Sequence, residues 1–170
     1  MHYVVPKMQL IPQDKTMSCW SASGFMLITW RRNQSLMSEV AHPDPSQVKK
    51  WSKLYDENPG ISNEKILEFA RDLGLEAIPP MSPTPEALWK WLVDYGPLWV
   101  NGKFHITVIA GIRDTAGSVE VLVYDPAKPN KKHGEWRPLS EWYLLDPHSG
   151  RDRSDSVETV FLHLPAAPIW

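Results

Sequence analysis

The sequence predicts an α+β fold, with a helical N-terminal half packed on a C-terminal antiparallel β-sheet. Two observations carry this. Up to Gly96 apolar residues recur at helical spacing, and beyond it they form β-branched and aromatic runs separated by turn residues. Helices come first and strands follow, which is the order of α+β rather than of alternating α/β folds. The 170 residues, 42% hydrophobic and 22% charged, fit a single domain over 1–170. A domain of that size buries roughly 70% of its unfolded surface.

Taken in order, residues 1–12 read as extended and irregular, with prolines at positions 6 and 12. From Ser18 to about Arg32, the residues Ala22, Phe25, Met26 and Trp30 recur at helical spacing. Ser18 is the N-cap and Cys19 falls in the first turn. Asp44-Pro45 opens a second helix with Val48, Trp51, Leu54 and Tyr55 on one face, ended by Asn58-Pro59-Gly60. Ser62 caps a third, with Ile66, Leu67, Ala70 and Leu73 inward and Gly74 as its stop. Thr84-Pro85-Glu86 opens a fourth, with Leu88, Trp89 and Leu92 inward. Strands are expected at 97–100, 104–112, 119–124 and 157–164, with a polar loop at 148–156.

Several function classes are excluded. Eighteen Lys and Arg against twenty Asp and Glu give a net charge of -2, and no basic stripe appears, so nucleic acid is not an expected partner. No apolar run reaches the ~18 residues of a membrane span, so no membrane partner is expected. The N-terminal segment lacks the pattern of a signal peptide, so export would need another route. A single cysteine excludes an internal disulfide and a multi-cysteine metal site. Neither a metal nor an organic cofactor is implied.

The lone thiol has a suggestive place. A helix N-terminus favours a thiolate through its free N–H groups and its positive dipole end, and Cys19 lies there. His105 is the histidine that enters an otherwise apolar strand, Phe104-His105-Ile106-Thr107-Val108-Ile109-Ala110-Gly111. A polar group there needs a partner. If the hairpin is centred near residue 115, antiparallel pairs sum to about 230, and His105 faces Asp125 with Cβ atoms ~5 Å apart.

The segment Gln13-Asp14-Lys15-Thr16-Met17-Ser18-Cys19-Trp20 resembles the nucleophile segment of papain-like cysteine peptidases. Tyr124-Asp125-Pro126 resembles the third-residue motif of the bacterial members. Thr16 stands where the plant and lysosomal members carry a disulfide cysteine, so the likeness is to the compact bacterial type. That type includes bacteriocin-exporter peptidase domains, plant-pathogen effector proteases and papain-fold toxin domains. The motifs cover Gln13 to Trp30 and Gly96 to about Trp142. The resemblance implies Cys19 as nucleophile, His105 as base, Asp125 as its orienter and Gln13 as a donor to the oxyanion, acting on a protein or peptide bond through an acyl-enzyme. The 18 residues before Cys19 read as too few for the inhibitory pro-region of papain zymogens, so the domain is expected either to be excised from a longer protein or to be restrained by a separate partner. The context that the resemblance implies is a bacterial effector or antibacterial toxin domain, restrained by a cognate immunity protein and exported as part of a larger protein to a target-cell cytoplasm. Two alternatives stay open: a glutamine deamidase or transglutaminase on the same fold, and a non-catalytic binding module with a degenerate site.

Overall fold

The computed structural model describes residues 1–34, 44–79, 81–102, 105–142 and 160–166. Four helices and seven strands make up the described chain. In order they are β1 (His2–Val4), α1 (Cys19–Gln34), a 3-10 turn (Pro45–Gln47), α2 (Lys49–Glu57), α3 (Asn63–Asp72), β2 (Glu76–Ile78), α4 (Pro85–Tyr95), β3 (Leu98–Asn101), β4 (Ile106–Thr115), β5 (Ser118–Tyr124), β6 (Glu135–Pro138), a second 3-10 turn (Leu139–Trp142) and β7 (Phe161–His163). The strands form one sheet in the order β2-β7-β3-β4-β5-β6, and every pairing is antiparallel. β1 pairs with the far part of β4 through Val4 and Gly111.

Helices cover both faces of the sheet. Trp99 of β3 turns to α1, where its indole Nε1 donates to the Trp20 carbonyl at 3.1 Å. The next residue, Val100, points the other way and pairs with Phe161, whose ring meets Trp91 of α4 at 5.6 Å. All four residues of β3 are therefore buried, the pattern of a strand covered on both sides.

The strand halves of the expectation hold, with longer or shifted ends. The expected strand 104–112 is Ile106–Thr115 among the described residues, and the turn of the hairpin is only Ala116-Gly117. Both turn residues have positive φ, 51° and 81°, which matches the right-handed twist of the flanking strands. The expected strand 157–164 is seen as Phe161–His163; residues 157–159 and the loop 148–156 lie outside the described residues.

Three expectations on the helices are corrected. The second helix starts at Lys49, because Asp44 caps the 3-10 turn instead, accepting from Ser46 N at 2.9 Å. Leu67 is 50% exposed and Trp89 40% exposed, not inward. On α3 the buried stripe is Ile66, Phe69, Ala70 and Leu73, and Leu67 falls beside it. On α4 the stripe is Leu88 and Leu92, and Trp89, one position on and about 100° round the helix, faces outward with Val93. The first helix is also more buried than a one-faced stripe allows: Trp20 to Gly24 and Met26 to Ile28 are all buried. It is a central helix, enclosed on most sides.

Candidate active site

The segment that leads to Cys19 is held from several directions. Asn58, in the left-handed conformation at the end of α2, accepts from Met17 N at 2.9 Å and donates to Thr16 Oγ1 at 2.8 Å. Gln13 N donates to the Pro126 carbonyl at 2.9 Å, tying this segment to the residue after Asp125. Ser18 occupies the cap position of α1, and its carbonyl accepts from Ser21 N and Ala22 N. Its hydroxyl, however, bonds Lys15 N and the Lys15 carbonyl rather than the helix. Cys19 N and Trp20 N are left without a protein acceptor among the described residues. Free N–H groups at a helix start are donors ready for developing negative charge.

Cys19 is half-buried at the head of α1. It shares a cleft of about 200 Å³ with His105, and Met17, Gly60, Ile61 and Ile106 also line it. His105 Nε2 is hydrogen-bonded to Asp125 Oδ1, which leaves Nδ1 for the cysteine side. Asp125 is buried, and the same oxygen accepts from Ala127 N at 2.9 Å, so the carboxylate is fixed by its own following turn. Asp125 and then Cys19 push the His105 imidazole up to about 9, against the opposing effect of burial. Burial pushes the Asp125 carboxyl up, but hydrogen bonds from His105 and from Ala127 N outweigh it, and the net shift is downward. At neutral pH the pair is an imidazolium facing a carboxylate.

The meeting of His105 and Asp125 depends on an irregularity that the sequence does not display. At the turn Thr115 pairs with Ser118, and Gly111 with Leu122. Extended unbroken, that register puts Asp125 opposite Val108, with its side chain on the face away from His105. A bulge between Ile109 and Gly111 shifts the pairing by one, so that Val108 faces Tyr124. Carried one residue on, Asp125 comes opposite Thr107, on the side that His105 shares. The direct 105–125 pairing expected from the hairpin is thus two residues off, a slip that keeps the side-chain face.

Gln13 is placed differently from the expected geometry. Its Nε2 donates to the Lys15 and Thr16 carbonyls, both at 2.9 Å, while Oε1 is buried without a partner. The amide is thus folded onto the loop that leads to Cys19. Sequence reasoning passed over Asn58, read only as a turn residue, and Asn63 and Asn101, which line the cleft. The one available signal was an asparagine ending the otherwise apolar run Leu98-Trp99-Val100.

This fold is that of a papain-like cysteine protease, a hydrolase class. Residues 2–161 match the family described as papain-like cysteine protease AvrRpt2, and the chain belongs to that family. Among solved structures it is similar to UfSP from C. elegans, with 18% identity and a TM-score of 0.58. That alignment covers 99% of this chain and 34% of the UfSP chain, so this protein spans about a third of its neighbour's length. At that identity the likeness shows a shared fold. No curated protein sequence matches. Among the described residues, no helix is long and apolar enough to cross a membrane.

Proposed function

We propose that Cys19, His105 and Asp125 form the catalytic triad of a peptidase that cleaves a protein or peptide bond. The observation that carries this reading is His105, bonded through Nε2 to a buried carboxylate while sharing one cleft with the chain's single thiol. The Cys19 sulfur attacks the scissile carbonyl carbon, and the imidazolium gives its proton to the leaving amine. Neutral His105 then takes a proton from water as the water oxygen attacks the thioester carbon, and collapse releases the acid product and the Cys19 thiolate, which restores the thiolate–imidazolium pair. Asp125 holds the ring orientation and stabilises the imidazolium. The free Cys19 N–H supports the oxyanion, and Gln13 joins it by exchanging one of its two loop bonds.

The biological setting we infer is an effector or toxin domain that is exported within a larger protein and acts in a target cell, with an immunity protein as its restraint. Family membership supports the effector part of this reading. The test expresses wild type beside Cys19→Ala and maps new protein N-termini across the proteome. New termini that vanish in the variant support the peptidase. A +1 Da shift on substrate glutamines without new termini would mean deamidation instead, and intact substrate held by both forms would mean a binding module.

A further inference from the structure

Besides Cys19 and His105, the cleft is lined by two polar side chains among its described residues, Asn63 and Asn101. They belong to different walls: Asn63 opens α3, and Asn101 closes β3. Asn101 is 4% exposed, and its bonds are determined. Its Oδ1 accepts from Val160 N at 2.6 Å, which identifies that atom as the oxygen, since an amide N–H needs an acceptor. Its Nδ2 therefore faces Asn63 and donates to Asn63 Oδ1 at 3.3 Å. This sets the second amide in turn. With Asn63 Oδ1 committed inward, Asn63 Nδ2 is left with no acceptor among the described residues.

We propose that Asn63 is a substrate-binding residue of this cleft, donating from Nδ2 to a carbonyl oxygen of the bound peptide, and that Asn101 is the positioning residue that fixes this polarity. The proposal rests on the cleft being the peptidase site argued above. The surroundings sharpen it. Met17, Ile61 and Ile106 give the same cleft apolar walls, so a filled cleft excludes water from the amide. A peptide that offers an acceptor oxygen there keeps the donor satisfied, whereas one that offers an apolar group strands it. Because Asn63 itself is exposed, the empty cleft leaves its Nδ2 hydrated at no such cost. The donor thus discriminates only when substrate is bound.

The experiment uses a proteome-derived peptide library to define the favoured sequence, then a fluorogenic peptide of that sequence for kinetics. Asn63→Ala should raise KM about five- to ten-fold with kcat within about twofold, the signature of a lost binding contact. If the oxygen belongs to a substrate side chain, wild type will favour Asn, Gln, Asp or Glu at one subsite, and Asn63→Ala will lose that preference. If it belongs to the main chain, KM rises with an unchanged profile. Asn101→Asp keeps an acceptor for Val160 N but replaces the donor, so Asn63 must turn and show its oxygen to the cleft. That variant should reproduce the KM and profile of Asn63→Asp, which a merely structural role would not do. Should Asn101→Asp fail to fold, Asn63→Ala, at an exposed position, decides alone. Wild-type cleavage abolished by Cys19→Ala is the control that separates the two readings. If the control fails, both fall. If it holds and Asn63→Ala keeps wild-type KM and profile, or loses kcat alone, this proposal is overturned.

Discussion

His105 carries its proton at neutral pH because Asp125 and Cys19 both lie against it, and in the mechanism we propose this sets how the cycle begins. On that proposal the site starts with its acid loaded, which suits departure of an amine. Cys19→Ala and His105→Ala should each cut activity by roughly 10⁴-fold, with the double variant no worse, because the two groups act as a unit. A single variant keeping a tenth of the rate would remove the assignment. Asp125→Asn should cost about tenfold and Asp125→Ala more, since only the first retains an acceptor for the ring. The titration carries its own sign. A folded-state value of about 9, above the ordinary ~6.5 of an unfolded histidine, stabilises the fold fully below the lower value and is lost as pH rises through the upper. The stability of wild type over His105→Ala, from urea unfolding, should therefore shrink between pH 6.5 and 9; a constant difference would contradict the pairing. At this scale the sequence was most informative where a residue sat against its surroundings. Cys19 at a helix start and His105 in an apolar run stood out on those grounds. Gln13 did so only through its spacing to Cys19, and where its amide points depends on the Lys15 and Thr16 carbonyls, whose directions no spacing reveals.

The elements act on the site through their ends. Asn58 closes α2 in a left-handed conformation, φ 57°, and clamps Thr16 and Met17 just ahead of Cys19. Asn58→Gly keeps the conformation and removes the clamp, so it should lower kcat several-fold with little loss of stability. Equal loss in both, read by kinetics beside urea unfolding, would make Asn58 a plain helix stop. Gly96 ends α4 at φ 87° and ψ -147°, a region that side chains avoid. A Cβ there would also come 2.5 Å from Trp30 Cη2, in a ring anchored by its bond to the Pro6 carbonyl. Gly96→Ala should therefore destabilise by roughly 2–4 kcal/mol, from backbone strain plus overpacking. A loss below ~1 kcal/mol would mean that the ring moves aside. These stops were readable because Gly, Asn and Pro act locally. The short strands β1, β2 and β6 were not, since three or four residues carry no period and their pairing comes from β4, β7 and β5. The bulge in β4 was hidden for a related reason: only the partner strand shows that one residue is extra. Helix faces went wrong by one position at Leu67 and Trp89, where the sequence offers more apolar residues than the core takes.

One aromatic cluster joins the two halves of the molecule directly behind Cys19. Trp20 follows Cys19 and meets Phe69 of α3 edge-on at 5.3 Å and Trp51 of α2 at 6.2 Å. Phe69 in turn meets Trp51 at 5.5 Å and Trp99 of β3 at 6.2 Å. Every helix of the N-terminal half except α4 thus shares one contact set with the sheet, and Phe69, fully buried, is the ring that meets the other three. The bond from Trp99 Nε1 to the Trp20 carbonyl adds a polar tie across the same junction. A cleft whose walls come from both halves keeps its shape only while this junction is intact. Phe69→Leu should leave a void at the centre and cost about 1–3 kcal/mol, less than the ~3–5 of a truncation to Ala. Because the cluster spans the halves, the loss should appear as one cooperative transition at lower denaturant rather than as melting of the helical half alone. Near-ultraviolet dichroism reports the tryptophans, and iodoacetamide labelling of the single cysteine reports the cleft. Plotted against urea, the two curves should coincide in wild type and in Phe69→Leu. Labelling that changes well before the aromatic signal would show instead that the helix end carrying Cys19 opens independently of the core behind it.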